Sequence, residues 1–248
     1  MSAAAPWLPY CGEAPGPGAL LGRWNGDPVL LLLVAGFALL LWRAAPDRRG
    51  QVLTFSALAL AVLLFVSPFC ALTSALFAAR SAHHVLLTVL LAPILAMVPS
   101  RPLLGRLPGN LAVWTALAAV TLWLWHAPGA YAAALSSDLL YWLMQVSLLG
   151  TATGFWIALR RTGTGPAIAA LLTYMVQMGL LGALITFSAA PLYAPHLLTT
   201  QAWGLSPLED QQLAGLIMWA PASGIYLIAA LALAARWLGR ETRLSAAP

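Results

Sequence analysis

Long apolar stretches recur along this chain, and their length limits the folds that it can adopt. A helix needs about 20 mostly apolar residues to cross the hydrocarbon core of a bilayer. Only 8% of the residues are charged and 61% are hydrophobic, whereas a soluble domain carries roughly a quarter charged residues. We therefore predict an all-α integral membrane protein, a bundle of seven transmembrane helices. The predicted spans are residues 28–44, 51–70, 81–99, 111–127, 139–159, 167–189 and 211–237.

The spans divide the chain into three parts. Residues 1–27 are rich in Pro and Gly and lack the basic start and continuous apolar core of a signal peptide. We expect them to form an irregular extracytoplasmic segment, followed by the seven-helix transmembrane domain at 28–240 and a cytoplasmic tail at 241–248. Cys11 and Cys70 are too few for a disulfide framework, and we interpret Cys70 as a small apolar packing residue.

The positions of the arginines predict the orientation of the spans. All of the basic residues other than histidine are arginines, and only Arg23 and Arg80 fall in or next to the second, fourth or sixth connection or the N-terminal segment. The others lie in or next to the first, third and fifth connections or the tail, at Arg43, Arg48, Arg49, Arg101, Arg106, Arg160, Arg161, Arg236, Arg240 and Arg243. Because arginines concentrate on the cytoplasmic side, we expect the N-terminus outside and the C-terminus in the cytoplasm.

This orientation places every histidine of the chain on the extracytoplasmic side. Imidazole and thioether groups suit copper better than magnesium or calcium, so we hypothesise a copper site there. The candidate metal ligands are His84, His126, His83, His196 and Met144. His83 and His84 are adjacent, so their side chains point about 100° apart around a helix. The alternative interpretation is structural, with each histidine bonded to a carbonyl or a headgroup and Met144 packed in the core.

A second polar motif opens the seventh predicted span. Either Ser206 or Asp210 is able to cap this helix, and acidic residues suit its positive N-terminal end. Amides that enter hydrocarbon need partners, which predicts a polar site that faces the bundle. Arg80 would oppose a bound cation, so we expect it to snorkel to lipid phosphates or to engage an acidic partner surface. The expected functional polar motif comprises Arg80, Glu209, Asp210, Gln211 and Gln212.

Several functional classes are excluded or disfavoured by the sequence. A retinal-binding receptor needs a lysine for its Schiff base, and this chain has none. Glycine-rich nucleotide-binding patterns, zinc-type cysteine pairs and basic nucleic-acid patches are absent, so nucleic acid is not an expected partner. No nucleophile and base stand out at one depth, and we do not expect an enzyme. A membrane transporter or carrier of a small solute, a metal ion or haem stays the alternative.

Four motifs of the chain resemble a known family. They are "SAHHVLL" at 81–87, "LWLWHAPGAYAAAL" at 122–135, "PLYAPH" at 191–196 and "LEDQQLAGLIMW" at 208–219. In this order they are similar to CtaG, the integral-membrane cytochrome c oxidase assembly factors associated with caa-type oxidases. The resemblance implies a multi-pass protein of the bacterial inner membrane that helps to mature an oxidase and its copper-containing part. Its implied partners are membrane lipids, oxidase subunits and other assembly factors.

The resemblance also assigns positions within the motifs. His84, His126 and Asp210 occupy polar positions typical of the family, and Gln211 and Gln212 complete its last motif.

The chain departs from the family pattern at two places. Many members carry two histidines about a turn apart in the third span, where this chain has an adjacent pair. Many carry His-x-x-Glu-His at the start of the fifth span, where this chain has Tyr141, Met144 and Gln145. A copper site in this protein would therefore be built differently, with Met144 as a candidate ligand.

Overall fold

A computed structural model describes residues 9–45, 47–98 and 110–245, with side chains up to residue 239. These residues form helices joined by turns and short connections, without a strand among them. The helices are α1 Pro28–Arg43, α2 Arg48–Val66, α3 Pro68–Ala75, α4 Phe77–Met97, α5 Leu111–His126, α6 Pro128–Ala134, α7 Asp138–Arg161, α8 Thr164–Thr186 and α9 Pro207–Gly239, whose backbone stays helical to Ser245. The all-helical prediction is confirmed for the described part of the chain.

Five of the helices, α2, α4, α7, α8 and α9, are long and apolar enough to cross a membrane. The pair α5 and α6 would make a sixth span, although it is bent by 79° after His126. Helix α1 is apolar but has only 16 residues, which is shorter than the usual span. The helices present apolar side chains such as Leu32, Phe55 and Val120 on their outer faces, which fits contact with lipid.

Two helix boundaries differ from the predicted spans. The second predicted span extends to residue 70, but α2 ends at Val66 because Ser67 is extended and Pro68 begins a new helix, α3. Proline is favoured in the first helical turn, where its missing N–H leaves no helical bond unmade. The third span starts one turn earlier than residue 81, at Phe77. Arg80 therefore lies within the first turn of α4, and not before the helix.

The apolar core has two parts. The larger part lies between α5, α7, α8 and α9 around Phe155 and Tyr174, and the smaller part lies between α1, α2, α4 and α7 around Leu64 and Leu87. Helices α8 and α9 approach closely at Gly215, where an added Cβ would lie 2.6 Å from the carbonyl oxygen of Gly182. Small residues permit such close backbone contact between membrane helices.

The N-terminal segment is fastened across one end of the helices. A disulfide joins Cys11 to Cys70 in α3, with 5.4 Å between their Cα atoms. The interpretation of Cys70 as a simple packing residue is therefore wrong, although its side chain is buried. Asn25 adds two bonds at the same end, from its backbone N–H to the Val66 carbonyl at 2.8 Å and from its side-chain amide to the Phe65 carbonyl at 3.2 Å.

Candidate functional site

Buried polar side chains gather at one end of the bundle, where α4, α7 and α9 begin and α5 ends. The disulfide-linked segment and the connection before α9 lie at this same end. Each side chain of this group is at most 2% exposed. We call the group the buried polar cluster, and its members are Arg80, His83, His84, His126, Tyr131, Tyr141, Gln145, His196 and Asp210. The four histidines thus lie together, while their role as metal ligands stays a prediction.

His84 and His126 face each other across α4 and α5. Their ring centroids are 5.3 Å apart and their planes are nearly perpendicular. Nδ1 of His126 lies 2.7 Å from the Leu122 carbonyl oxygen. A carbonyl oxygen only accepts hydrogen bonds, so Nδ1 carries the proton and Nε2 of the neutral ring presents a lone pair. That Nε2 has no hydrogen-bond partner, and neither ring nitrogen of His84 has one. Each of these two neighbouring rings therefore has a nitrogen lone pair that no hydrogen bond uses.

His83 turns away from this pair, as its position one residue earlier in the helix predicts. Its Nε2 lies 3.1 Å from the Leu64 carbonyl oxygen. That carbonyl lacks its usual helical donor because the residue four positions later is Pro68, which has no N–H. The His83 ring also packs against Phe65 and Phe69. These contacts favour the structural interpretation of His83 over a ligand role.

His196 is engaged by a tyrosine. The Tyr131 hydroxyl lies 2.6 Å from Nε2 of His196, and Tyr193 nearby donates to the His126 carbonyl at 2.8 Å. Burial, together with the positive charge of Arg80, lowers the pKa of His196 to about 3. His196 is therefore neutral at physiological pH. Because its Nε2 is already in a hydrogen bond, its first role is to fix Tyr131 and the connection before α9.

Arg80 is completely buried, and none of its three guanidinium nitrogens has a hydrogen-bond partner. Its guanidinium carbon lies 5.3 Å from the centre of the Tyr141 ring, a distance at which a cation is attracted to the ring face. The prediction that Arg80 snorkels to lipid or meets a partner surface is wrong, because the side chain has no exposed surface.

Asp210 caps a different helix from the one predicted. Ser206 caps α9 in a reciprocal capping box with Glu209, and Glu209 is exposed. The buried Asp210 carboxylate instead accepts hydrogen bonds from the backbone amides of Phe77 at 2.7 Å and Ala78 at 3.1 Å. Asp210 therefore satisfies the first turn of α4, the helix that carries Arg80 and both adjacent histidines. Of the two alternative caps predicted for the seventh span, Ser206 is confirmed and Asp210 is wrong.

The other predicted polar residues have separate positions. The Gln211 side chain binds the connection between α8 and α9: its oxygen accepts from the Leu192 amide at 2.6 Å, and its nitrogen donates to the Ile185 and Ala190 carbonyls. These backbone groups are the partners that a buried amide requires. Gln212 is half-buried. Met144 is fully buried in the smaller apolar core, where both packing and ligand roles stay open.

Parts of the cluster were not singled out from the sequence. Tyr131 lies in the short helix α6, and its role depends on contact with His196, which is 65 residues later. Tyr141 and Gln145 lie where the family pattern has ligating groups, and this difference from the family was the sequence signal for their position in the site.

Among the described residues, no group of three or more His, Cys, Asp or Glu side chains is arranged to hold a metal ion. A metal site here would therefore rest on the His84 and His126 pair.

Comparison with known proteins identifies the family. The family model described as cytochrome c oxidase caa3 assembly factor, Caa3_CtaG, matches residues 31–240, which is more than four fifths of the 248 residues. No curated protein and no solved structure gives a significant match. The resemblance to CtaG is therefore confirmed, and the match covers nearly the whole of the helical region. The chain belongs to the Caa3_CtaG family of cytochrome c oxidase caa3 assembly factors.

Proposed function

We propose that this protein holds one Cu(I) ion between His84 and His126 and supplies it to a caa3-type oxidase during assembly. The observation that carries the proposal is the unpaired Nε2 of His126 in a ring whose centroid lies 5.3 Å from that of His84, an imidazole with two unpaired nitrogens. Buried polar atoms are nearly always hydrogen-bonded, so exceptions call for an explanation. Family membership supplies the context of oxidase assembly, in which the protein acts as a non-catalytic factor.

The ligand set favours Cu(I) over other metals. A structural zinc site takes four ligands, and magnesium and calcium take six or more oxygen ligands. Two imidazole nitrogens satisfy neither requirement, whereas Cu(I) is stable with two nitrogen ligands and accepts a thioether as a third. Imidazole is a suitable ligand for copper. The Leu122 carbonyl accepts the Nδ1 proton of His126, as backbone carbonyls do for many metal-bound histidines, whose orientation this bond fixes. Met144 is the candidate third ligand.

We further propose seven spans in the bacterial inner membrane, with the buried polar cluster at the extracytoplasmic end. Two independent features support this orientation. The arginine distribution favours a cytoplasmic C-terminus, and the Cys11–Cys70 disulfide lies at the cluster end. Disulfides persist in the periplasm and are rare in the cytosol. Delivery of copper would then take place from the extracytoplasmic side, with α1 crossing as a short first span.

The orientation predicts the behaviour of a reporter fused after Leu244. A reporter that is active only in the periplasm should stay silent there, while the same reporter joined before residue 9 should be active. Immunoblots of both fusions control for expression. A strong periplasmic signal after Leu244 would invert the arrangement and place the polar cluster in the cytoplasm.

Copper binding is tested with the protein purified in detergent through a tag without histidine. Ascorbate is the reductant, since it maintains Cu(I) without needing thiols that would attack the disulfide. We expect about one copper per chain in the wild type, and a loss of at least tenfold in affinity for His84→Ala, His126→Ala and the double variant. Near-equal losses in the three variants indicate one shared site, because residues that act as a unit are not additive.

His83→Gln is the matched control. It changes the neighbouring histidine of the same helix and leaves the His84 and His126 pair in place, so copper binding should be retained. Equal copper content in the wild type and the double variant would contradict the copper proposal. Normal oxidase activity and copper content in cells that carry the double variant would contradict delivery, even if the purified protein binds the ion.

A further inference from the structure

The Arg80 side chain poses a problem that the copper proposal does not solve. Its guanidinium is fully buried, and its Nε, Nη1 and Nη2 atoms are all without a hydrogen-bond partner. An arginine side chain does not lose its proton in a protein. A buried charge without a partner is strongly unfavourable, and a copper cation nearby would add repulsion. Some group must therefore accept the guanidinium hydrogen bonds.

The only carboxylate described in the cluster is already engaged. Both oxygens of Asp210 accept backbone amides of the first turn of α4. The Asp210 charge can therefore balance Arg80 only at a distance, and it leaves the guanidinium donors unsatisfied. The aromatic ring of Tyr141 attracts the cation, but a ring face is a weak acceptor for a fork of five N–H groups.

A second buried side chain without hydrogen-bond partners, Gln145, lies near Tyr141. The side-chain amide of Gln145 is 1% exposed, and neither its oxygen nor its nitrogen has a hydrogen-bond partner. Gln145 lies four residues after Tyr141 in α7, so the two side chains share one helix face. The Tyr141 hydroxyl lies close enough to Arg80 and to Gln145 to interact with both side chains, although neither contact has the geometry of a hydrogen bond. Tyr131 on α6 is also within electrostatic reach of the guanidinium. Hydrogen-bonding groups from α4 and α7 thus lie close together around Tyr141.

We propose that the buried polar cluster contains a site for one small monovalent anion, chloride or a carboxylate of formate size, bound by Arg80 and Gln145. The guanidinium fork and the Gln145 amide would donate to the anion, and Tyr141 would complete its surroundings, since the Tyr131 hydroxyl is already bonded to His196. Charge-assisted hydrogen bonds of this kind are stronger than neutral ones. A single negative charge also balances the one guanidinium charge. This site is separate from the histidine pair and does not depend on copper being bound there.

The site is tested by thermal unfolding of the metal-free protein, followed by tryptophan fluorescence in a chelator. Sodium chloride, sodium formate and sodium gluconate are compared at constant ionic strength, because gluconate is too large for an enclosed site. We expect chloride or formate to raise the unfolding midpoint with the logarithm of its concentration, by roughly 4 °C at ten times the dissociation constant. Which of the two acts at the lower concentration distinguishes a halide from a carboxylate site.

Arg80→Gln should abolish the anion dependence, and Arg236→Gln, which removes an exposed arginine of α9, should retain it. Equal midpoints in all three salts would overturn the proposal and assign the guanidinium bonds to buried water. If Arg80→Gln does not fold, bromide in crystals of the wild type decides the question. An anomalous peak within hydrogen-bonding distance of the guanidinium supports the site, and its absence at saturating bromide overturns it.

Discussion

Gly215→Ala should lower the unfolding midpoint of the protein by roughly 10 °C, which corresponds to about 3 kcal/mol for a chain of this size. The new Cβ would lie 2.2 Å from the Thr186 hydroxyl oxygen, 2.6 Å from the Gly182 carbonyl oxygen and 2.7 Å from the Thr186 amide nitrogen. Two of these atoms belong to the backbone of α8 and cannot rotate away. The helices α8 and α9 must therefore separate to accept one methyl group.

The separation of α8 and α9 would also change the geometry of the buried polar cluster. Gly215 lies little more than one turn after Asp210 in α9, so a displaced α9 draws the Asp210 carboxylate away from the amides of Phe77 and Ala78. We therefore expect oxidase assembly to fail together with stability. A membrane preparation assayed for caa3-type activity, with immunoblots for protein level, measures this second effect.

Gly224→Ala is the matched control for this prediction. Gly224 lies in the same helix, and nothing lies within 4 Å of an added Cβ. Alanine is favoured over glycine within a helix by about 0.5–1 kcal/mol, so this variant should be as stable as the wild type or slightly more stable. Equal midpoints for the two alanine variants would show that α8 and α9 do not touch at Gly215.

The helices were predictable from hydropathy because an apolar segment in a bilayer has no water to bond its backbone. A helix pairs the N–H and C=O groups of such a segment with one another. The fifth and sixth predicted spans match α7 and α8 within a few residues at each end. The second span was too long because the apolar composition continues past Ser67 and Pro68, although the structure ends the helix there. In this case the proline was a better signal of the boundary than the hydropathy.

The contents of the site were predictable only in part. Because successive spans alternate in direction, the start of the third span, the end of the fourth span and the sixth connection fall on one side, so the gathering of the histidines followed from the order of the spans. Which groups touch depends on packing between distant segments, as with Asp210 and Phe77, 133 residues apart. The same applies to Cys11 and Cys70, whose separation of 59 residues carries no geometric information by itself.

The second large effect concerns Asp210, whose substitution should loosen the first turn of α4. Asp210→Leu removes the acceptor of two buried N–H groups, at Phe77 and Ala78. A buried donor left without a partner costs about 1–3 kcal/mol, and the carboxylate also favours the positive end of a helix. We expect a loss of about 3–5 kcal/mol in the free energy of unfolding. Amide hydrogen exchange at residues 77–80 should accelerate.

Asp210→Asn separates hydrogen bonding from charge. Its single side-chain oxygen is able to accept one of the two amides at full strength, so its destabilisation should be about half that of the leucine variant. Glu209→Gln is the control, since Glu209 is the adjacent acid, is exposed and caps only its own helix. It should change the unfolding free energy by less than about 0.5 kcal/mol. Unfolding of Asp210→Leu at the wild-type midpoint would contradict the capping of α4.

The asparagine variant also links the cap to function. It should fold at growth temperature, yet α4 would begin with one amide unpaired and a more mobile first turn. Arg80 lies within that turn and His84 lies one turn further on, so the imidazole that faces His126 would no longer be held at a fixed distance. A metal bridging two helices requires this distance to be fixed within a few tenths of an ångström.

We therefore expect Asp210→Asn to retain normal protein level while copper affinity and oxidase assembly fall together. Reduced assembly with unchanged copper affinity would instead place the role of Asp210 in contact with the oxidase.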